Sequence, residues 1–223
     1  LMKELREALD KLGSENSRSY LLTTAVGCGP PQIAAVDYMT AAQHLDYIFA
    51  MTYDFYGAWS NVLGHHTALH PSENNSTNEG YNTSSAITKL LSAGVPANKL
   101  VLGVAMYGRG WKGVQSNDPS PFAGMGQGAI AGSWEPGIID YKHIVEKYAG
   151  PSGQGIGGFS YSYDTKAEAP FLYNASTGEL ITYDDKRSTK AKRDYAAGLG
   201  LAGLFSWEID ADNGDILAAM NGE

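Results

Sequence analysis

The stretch YIFAMTYDFYG, Tyr47 to Gly57, decides how this chain reads. Its opening run is apolar and aromatic, as a buried strand requires, and in a strand Met51 and Tyr53 point to one face. Asp54 falls where the strand ends and alternation relaxes. At the C-terminal mouth of a parallel sheet these three side chains would face a ligand. On the residues alone, an ordinary buried strand with a capping Asp is an equally open reading.

The same strand-then-helix order recurs on either side. Upstream, Leu1, Leu5, Leu9 and Leu12 recur at helical spacing, with Gly13 placed to stop the helix. No N-cap residue stands before this stripe, so the pattern predicts that something precedes Leu1. Tyr20 to Val26 reads as a strand closed by the breakers Gly27, Gly29, Pro30 and Pro31, and a helix follows near Asp37 to Leu45. Downstream, a long polar loop runs to Asn82, a helix covers Thr83 to Ala93 and ends at Gly94, and KLVLGVAMY (99–107) is the next strand. A helix over Ser188 to Leu199, the strand AGLFSW (202–207) and the short helix GDILAAM complete the alternation. Between them, 109–182 breaks the pattern with a helix over Asp140 to Tyr148 and strands at FSYSYD, APFLY and ELITYDD, the last two joined by a turn at Asn174 to Gly178. Near-continuous apolar strands alternating with helices predict an α/β protein with a parallel sheet, and four such units suggest part of a barrel. A doubly wound open sheet is the rival.

Composition narrows the function. The 223 residues carry 24 acidic against 16 basic side chains, a formal charge of -8, with a sequence pI near 5.1. Such a balance argues against a nucleic-acid partner, which needs clustered Lys and Arg. No stretch reaches the roughly 18 to 20 apolar residues of a membrane span, so no membrane partner is expected. Cys28 is the single cysteine, which excludes an intrachain disulfide and a thiolate metal cluster. The fourteen Tyr suit a surface that handles hydroxyl-rich ligands.

Three segments carry a resemblance. YIFAMTYDFYG, VLGVAMYGRGW (101–111) and GLFSWEIDADNGDIL (203–217) occur in this order with an insertion between the second and third. They resemble the sixth, seventh and eighth strand regions of family 18 chitinases, especially the bacterial type with an α+β insertion after strand seven. The resemblance implies a partial (β/α)8 TIM barrel, strands five to eight, formed by 1–108 and 183–223, with 109–182 as an α+β chitinase insertion domain. That family's DxxDxDxE motif, whose Glu is the general acid on strand four, is not in this sequence.

What the resemblance implies for chemistry is substrate-assisted retaining hydrolysis of β-1,4-linked N-acetylglucosamine polymers, with no cofactor or metal. The acid protonates the glycosidic oxygen and the sugar's own acetamide oxygen attacks the anomeric carbon. By resemblance Tyr53 and Asp54 serve catalysis; Tyr53 holds the acetamide, Met51 lines its pocket and Trp207 stacks beneath the reacting sugar. Tyr107, Arg109 and Glu135 contact neighbouring groups. Chitin or N-acetylchitooligosaccharides are the implied ligand, and a secreted or periplasmic setting is implied with them. Without the acid motif, a non-catalytic, lectin-like chitin-binding half barrel is the alternative. Such a half exposes two sheet edges, near Leu22 and Leu204, which a homodimer or the insertion would cover.

Other signals weigh less. Trp59, Trp111 and Trp134 are read as further sugar platforms or plain packing, and Glu208 with Asp210 as unconvincing replacements for the acid. Gly153, Gly155 and Gly158 satisfy GxGxxG but precede a strand, so loop glycines explain them. His65, His66 and His70 read as exposed loop histidines. Asp215 is expected to cap the last helix, and Cys28 has no base partner. Sequons stand at Asn74, Asn75, Asn82 and Asn174.

Overall fold

The computed structural model describes residues 1–73, 80–116 and 120–223; the Asn74 and Asn75 sequons lie outside the described residues. Two sheets organise the described residues. The first is built from β1 (Thr23–Gly27), β2 (Tyr47–Met51), β3 (Leu100–Ala105) and β9 (Gly203–Trp207), all parallel and in the order β1-β2-β3-β9. Among the described strands, chain order and sheet order therefore coincide, without the reversal that defines a doubly wound sheet. Every residue of β3 is buried, which is why LVLGVA reads as an unbroken apolar run.

The helices lie where the periodicity puts them, with instructive differences at their ends. Helix α1 (Met2–Asn16) runs through Gly13 and ends at Ser17 in the left-handed conformation. Gly13 is the buried residue of α1, and a Cβ there would stand 2.4 Å from the Arg18 carbonyl oxygen. It is a point of close approach, not a stop signal. β1 closes at Gly27 ahead of Pro30 and Pro31, and the two prolines also open α2 (Pro30–Ala34), where a missing N–H costs nothing. The helix expected over 37–45 is only α3 (Tyr38–Ala41), capped by Asp37. Asn82 caps α4 (Thr83–Ser92) by accepting from the Ser85 N–H. Asp185 and Ser188 form a reciprocal capping box on α6 (Lys186–Gly198). The last helix, α7 (Asp215–Asn221), is held by Asp212, which accepts from the N–H groups of Ile216 and Leu217. Asp215 is not its cap; its carboxylate pairs with Lys186 at 2.7 Å.

The second sheet is antiparallel, in the order β5-β4-β8-β7-β6. Its strands are β4 (Tyr107–Trp111), β5 (Ile138–Asp140), β6 (Ser160–Asp164), β7 (Ala169–Asn174) and β8 (Glu179–Thr182). After β5, α5 (Tyr141–Ile144) continues into a π-helical turn over Val145–Ala149. This sheet starts at Tyr107, one residue after Met106. Met106 is the seam: its N–H donates to the Trp207 carbonyl and its own carbonyl accepts from the Tyr141 N–H. The Asn82 and Asn174 amides are buried and serve the fold, one as a helix cap and the other as the hinge of the β7–β8 turn.

An ionic cluster sits inside the molecule. Lys192 Nζ lies 2.6 Å from Asp184 Oδ2 with both side chains cut off from water. Asp184 also accepts from Ala105 N–H at the end of β3 and from Ser188 Oγ on α6. Lys192 reaches Thr67 Oγ1 at 2.6 Å, and that hydroxyl lies 3.1 Å from the Thr52 carbonyl, one residue beyond β2. Removing one member of a buried pair strands the other, at a cost of roughly 3–5 kcal/mol. Urea unfolding of Lys192→Met at pH 7 is expected to show a loss of about that size; a change below ~1 kcal/mol would show that the pair does not tie these segments together.

Candidate active site

The cleft is built where the two sheets meet. At the end of β2 the chain turns: Thr52 Oγ1 donates to the Gly103 carbonyl at 2.7 Å, and Asp54 takes a left-handed backbone with φ of 58°. This turn aims Met51 and Tyr53 over the mouth of the parallel sheet. Tyr53 packs edge-on against Tyr107 and Phe205, and its ring passes so close to Gly103 that a Cβ there would lie 2.9 Å from it. Its hydroxyl has no hydrogen-bond partner among the described residues.

Tyr107 and Arg109 are two apart on β4, so both side chains leave the same face and meet Asp54. Tyr107 donates its O–H to Asp54 Oδ1 at 2.6 Å. Arg109 adds a two-pronged contact, Nε to Oδ1 at 2.9 Å and Nη2 to Oδ2 at 2.8 Å. Trp59 backs the guanidinium, 4.9 Å from ring centre to Cζ. On the far side Trp207 ends β9 with 56% of its surface exposed. The open cleft between these groups has a volume of about 690 Å³. It is lined by Met51, Tyr53, Asp54, Tyr107, Arg109, Trp134, Glu135, Ile138, Asp140, Trp207, Glu208 and Ala211.

The electrostatics of the cleft sort its groups into roles. Burial alone would raise the Asp54 pKa, but the hydrogen-bond donors around it, Arg109 and Tyr107 among them, overcome it and hold the carboxyl below the usual range. Asp54 is therefore a fixed anion. Burial first, then the Asp54 charge, push the Tyr53 and Tyr107 hydroxyls above the ordinary tyrosine value. Both remain neutral donors. A fixed anion, neutral hydroxyl donors and an exposed indole face are the means of binding an uncharged polyol with a polar substituent.

All seven residues singled out in the sequence, Met51, Tyr53, Asp54, Tyr107, Arg109, Glu135 and Trp207, line this one cavity. The three other tryptophans divide. Trp111 is fully buried in β4 and donates to the Ser60 carbonyl, so it is packing and not a platform. Trp134 lies at the cavity wall and donates to Asp140 at 3.2 Å; Trp59 backs Arg109. The loop histidines are the clearest departure from expectation. His65 and His66 are buried, His65 against Phe122 and Phe171 and 3.6 Å from the Asp164 carboxylate, His66 behind Asp54. Ile138, Asp140 and Ala211 line the cavity without any signal in the sequence.

The profile of Glycosyl hydrolases family 18 matches residues 1–212. Chitinase A of Pseudoalteromonas piscicida is 48% identical over 245 aligned positions, covering 99% of this chain and 30% of that protein. Among solved structures, chitinase ChiA74 from Bacillus thuringiensis superposes with a TM-score of 0.87 at 31% identity, covering 98% of this chain and 38% of that one. A glycoside hydrolase family 18 N-acetylglucosaminidase from Paenibacillus barengoltzii superposes with a TM-score of 0.86 at 30% identity, covering 98% of this chain and 60% of that one. The chain spans 30% to 39% of the length of the bacterial and viral chitinases it matches.

The state of Asp54 sets a pH dependence. Its folded pKa lies below the unfolded value of about 3.9, so its stabilisation is complete above that pH and is lost as pH falls toward the lower folded value. Asp54→Asn should lower the urea midpoint at pH 7 and flatten its fall between about pH 4 and 2.5. An unchanged slope in the variant would show that Asp54 is not held ionised by the clamp.

Proposed function

The chain belongs to the glycosyl hydrolases of family 18, and we propose that it carries the N-acetylglucosamine-binding half of a chitinase barrel. In this reading β1, β2, β3 and β9 are strands five to eight of the (β/α)8 barrel. Residues 109–182 are the α+β insertion domain, and 1–108 with 183–223 the barrel half. The ligand is a β-1,4-linked N-acetylglucosamine oligomer. The observation that carries the reading is the unpaired, half-buried Tyr53 hydroxyl beside the exposed face of Trp207, over a cavity floored by the Asp54 clamp.

Each part has a task in substrate-assisted hydrolysis. Tyr53 donates to the acetamide, holding its oxygen in line with the anomeric carbon, and Met51 closes the apolar side of that pocket. Trp207 meets the C–H face of the sugar ring and excludes water from beneath it. The Asp54 anion, fixed by Tyr107 and Arg109, supports the positive charge that grows on the acetamide in the transition state. Glu135 reaches the ligand from the insertion side.

The same electrostatics deny Asp54 the role of proton donor, because a general acid must arrive protonated. The Glu of DxxDxDxE would supply that proton, and this sequence does not contain the motif. Glu135 and Glu208 stand exposed at the cavity rim. Cleavage of a bound chitin oligomer, the reaction of the family to which the chain belongs, therefore needs the Glu of that motif brought beside Tyr53 and Trp207. Family membership supports a secreted or periplasmic setting. The half-exposed edges β1 and β9, and the exposed Leu1, Leu5 and Leu12 on α1, form a face that further strands of a barrel or a second copy of the chain would cover.

Titration of the purified chain with N-acetylchitotetraose, followed by tryptophan fluorescence, should show saturable binding that Trp207→Ala abolishes and Tyr53→Phe weakens about 10-fold. A fluorogenic N-acetylchitooligosaccharide should not be turned over. Turnover that Glu208→Gln abolishes would make Glu208 the acid and the chain an enzyme by itself. A folded chain that binds no chitin oligomer would sink the proposal.

A further inference from the structure

His66 lies fully buried behind the Asp54 clamp. Its Nδ1 accepts the Asp54 backbone N–H at 3.4 Å, and its Nε2 lies 3.2 Å from the Tyr107 backbone carbonyl. A carbonyl oxygen only accepts, so Nε2 carries the hydrogen. A backbone N–H only donates, so Nδ1 presents its lone pair. The two partners together select a neutral ring in a single tautomer. They are also the backbones of the two residues whose side chains meet at Asp54 Oδ1.

We infer that His66 is a positioning residue of the cleft. Its neutral imidazole braces the left-handed backbone of Asp54 at one end and the start of β4 at the other, so that the carboxylate meets Tyr107 and Arg109. Nothing about its place in a polar loop suggested this. The main chain of His66 is fixed in turn: its N–H donates to Thr182 Oγ1 on β8, and its carbonyl accepts from the Phe55 N–H. The ring is thus a strut between the β2 turn and the second sheet, anchored at its own backbone.

Protonation would turn Nδ1 into a donor and set it against the Asp54 N–H. The surrounding charges compete over that proton. Burial, the largest influence, lowers the pKa of the ring. The Asp54 carboxylate, 3.7 Å from Nδ1, and Asp184 favour the proton, and Arg109 opposes it; the net direction is below the ordinary histidine value. Tyr107 packs on the ring with centroids 5.2 Å apart and is itself neutral. The unfolded chain therefore takes up a proton near pH 6.5 that the folded ring refuses. Its stabilisation is complete above that pH and falls as pH drops toward the lower folded value.

Three readouts on the full chain test this, and two need no ligand, so they stand apart from the chitin-oligomer reading on which the third rests. Histidine-selective ¹⁵N NMR, with the His66 signals assigned by loss in His66→Gln, should show a neutral ring protonated at Nε2 at pH 7. A charged ring, or a proton on Nδ1, overturns the inference. The urea midpoint of wild type should fall more between pH 7 and 5.5 than that of His66→Gln, whose amide offers a donor and an acceptor but does not titrate. Equal falls overturn it. With N-acetylchitotetraose as probe, His66→Leu should lose about 10-fold in affinity at pH 7 and His66→Gln should recover most of it. Wild-type affinity in His66→Leu overturns the inference. If the leucine variant does not fold, the first two readouts decide. If wild type binds no oligomer, the functional proposal fails and His66 is judged on those same two.

Discussion

Asp184 and Lys192 meet at 2.6 Å with neither side chain reaching water, and each reaches further protein groups besides. Asp184 takes hydrogen bonds from the end of β3 and from α6; Lys192 reaches Thr67, whose hydroxyl touches the Thr52 carbonyl at the exit of β2. Burying an ammonium and a carboxylate costs several kcal/mol each, and only a full set of partners offsets it. Burial pulls the Lys192 pKa below the ordinary lysine value, and the Asp184 carboxylate offsets part of that fall. Well-packed apolar residues often match a buried ion pair in stability. They would not fix direction: hydrogen bonds to the Ala105 N–H and the Thr52 carbonyl set where two neighbouring strands stop.

Where those strands stop decides where the cleft is. Past Ala105 the chain passes through Met106 and becomes an antiparallel strand; past Met51 it turns at Asp54. Met106 binds the two sheets through its own peptide groups, one to Trp207 and one to Tyr141. Tyr107, Arg109 and Trp207 therefore cannot shift relative to one another without breaking main-chain hydrogen bonds. That rigidity is what a binding constellation needs if its groups are to act together.

The parallel sheet was legible because burial on both faces leaves a plain record: LVLGVA must be apolar throughout, and the helices between its strands show in runs such as Thr83 to Ala93 that stop at a glycine. The cavity residues were legible for another reason. Tyr53, Asp54 and Trp207 sit at strand ends, where a polar or bulky side chain is out of place unless it faces something, and the family resemblance gave that something an identity. What stayed hidden depended on contacts between distant segments. Gly13 reads as a helix stop, yet its lack of a side chain serves the approach of Arg18. Trp111 and Trp134 are the same residue type in the same stretch, and only the pairing of β4 with β8 shows that one is inside and the other out. His66 was misjudged because a run of loop residues carries no period from which burial can be read.

The Asp54 turn joins these threads. A non-glycine residue at φ of 58° carries a backbone cost on the order of 1 kcal/mol, and a carboxylate in a half-buried cleft carries a desolvation cost as well. Neither would persist alone. The N–H contact to His66 holds the backbone in that conformation, and the donors Tyr107 and Arg109 hold the charge. Those donors come from a different sheet, so the turn is stable only when both sheets are docked. Formation of the cleft and completion of the fold are in this way one event: a chain that has not joined its sheets at Met106 has no ionised Asp54 in place, and no site.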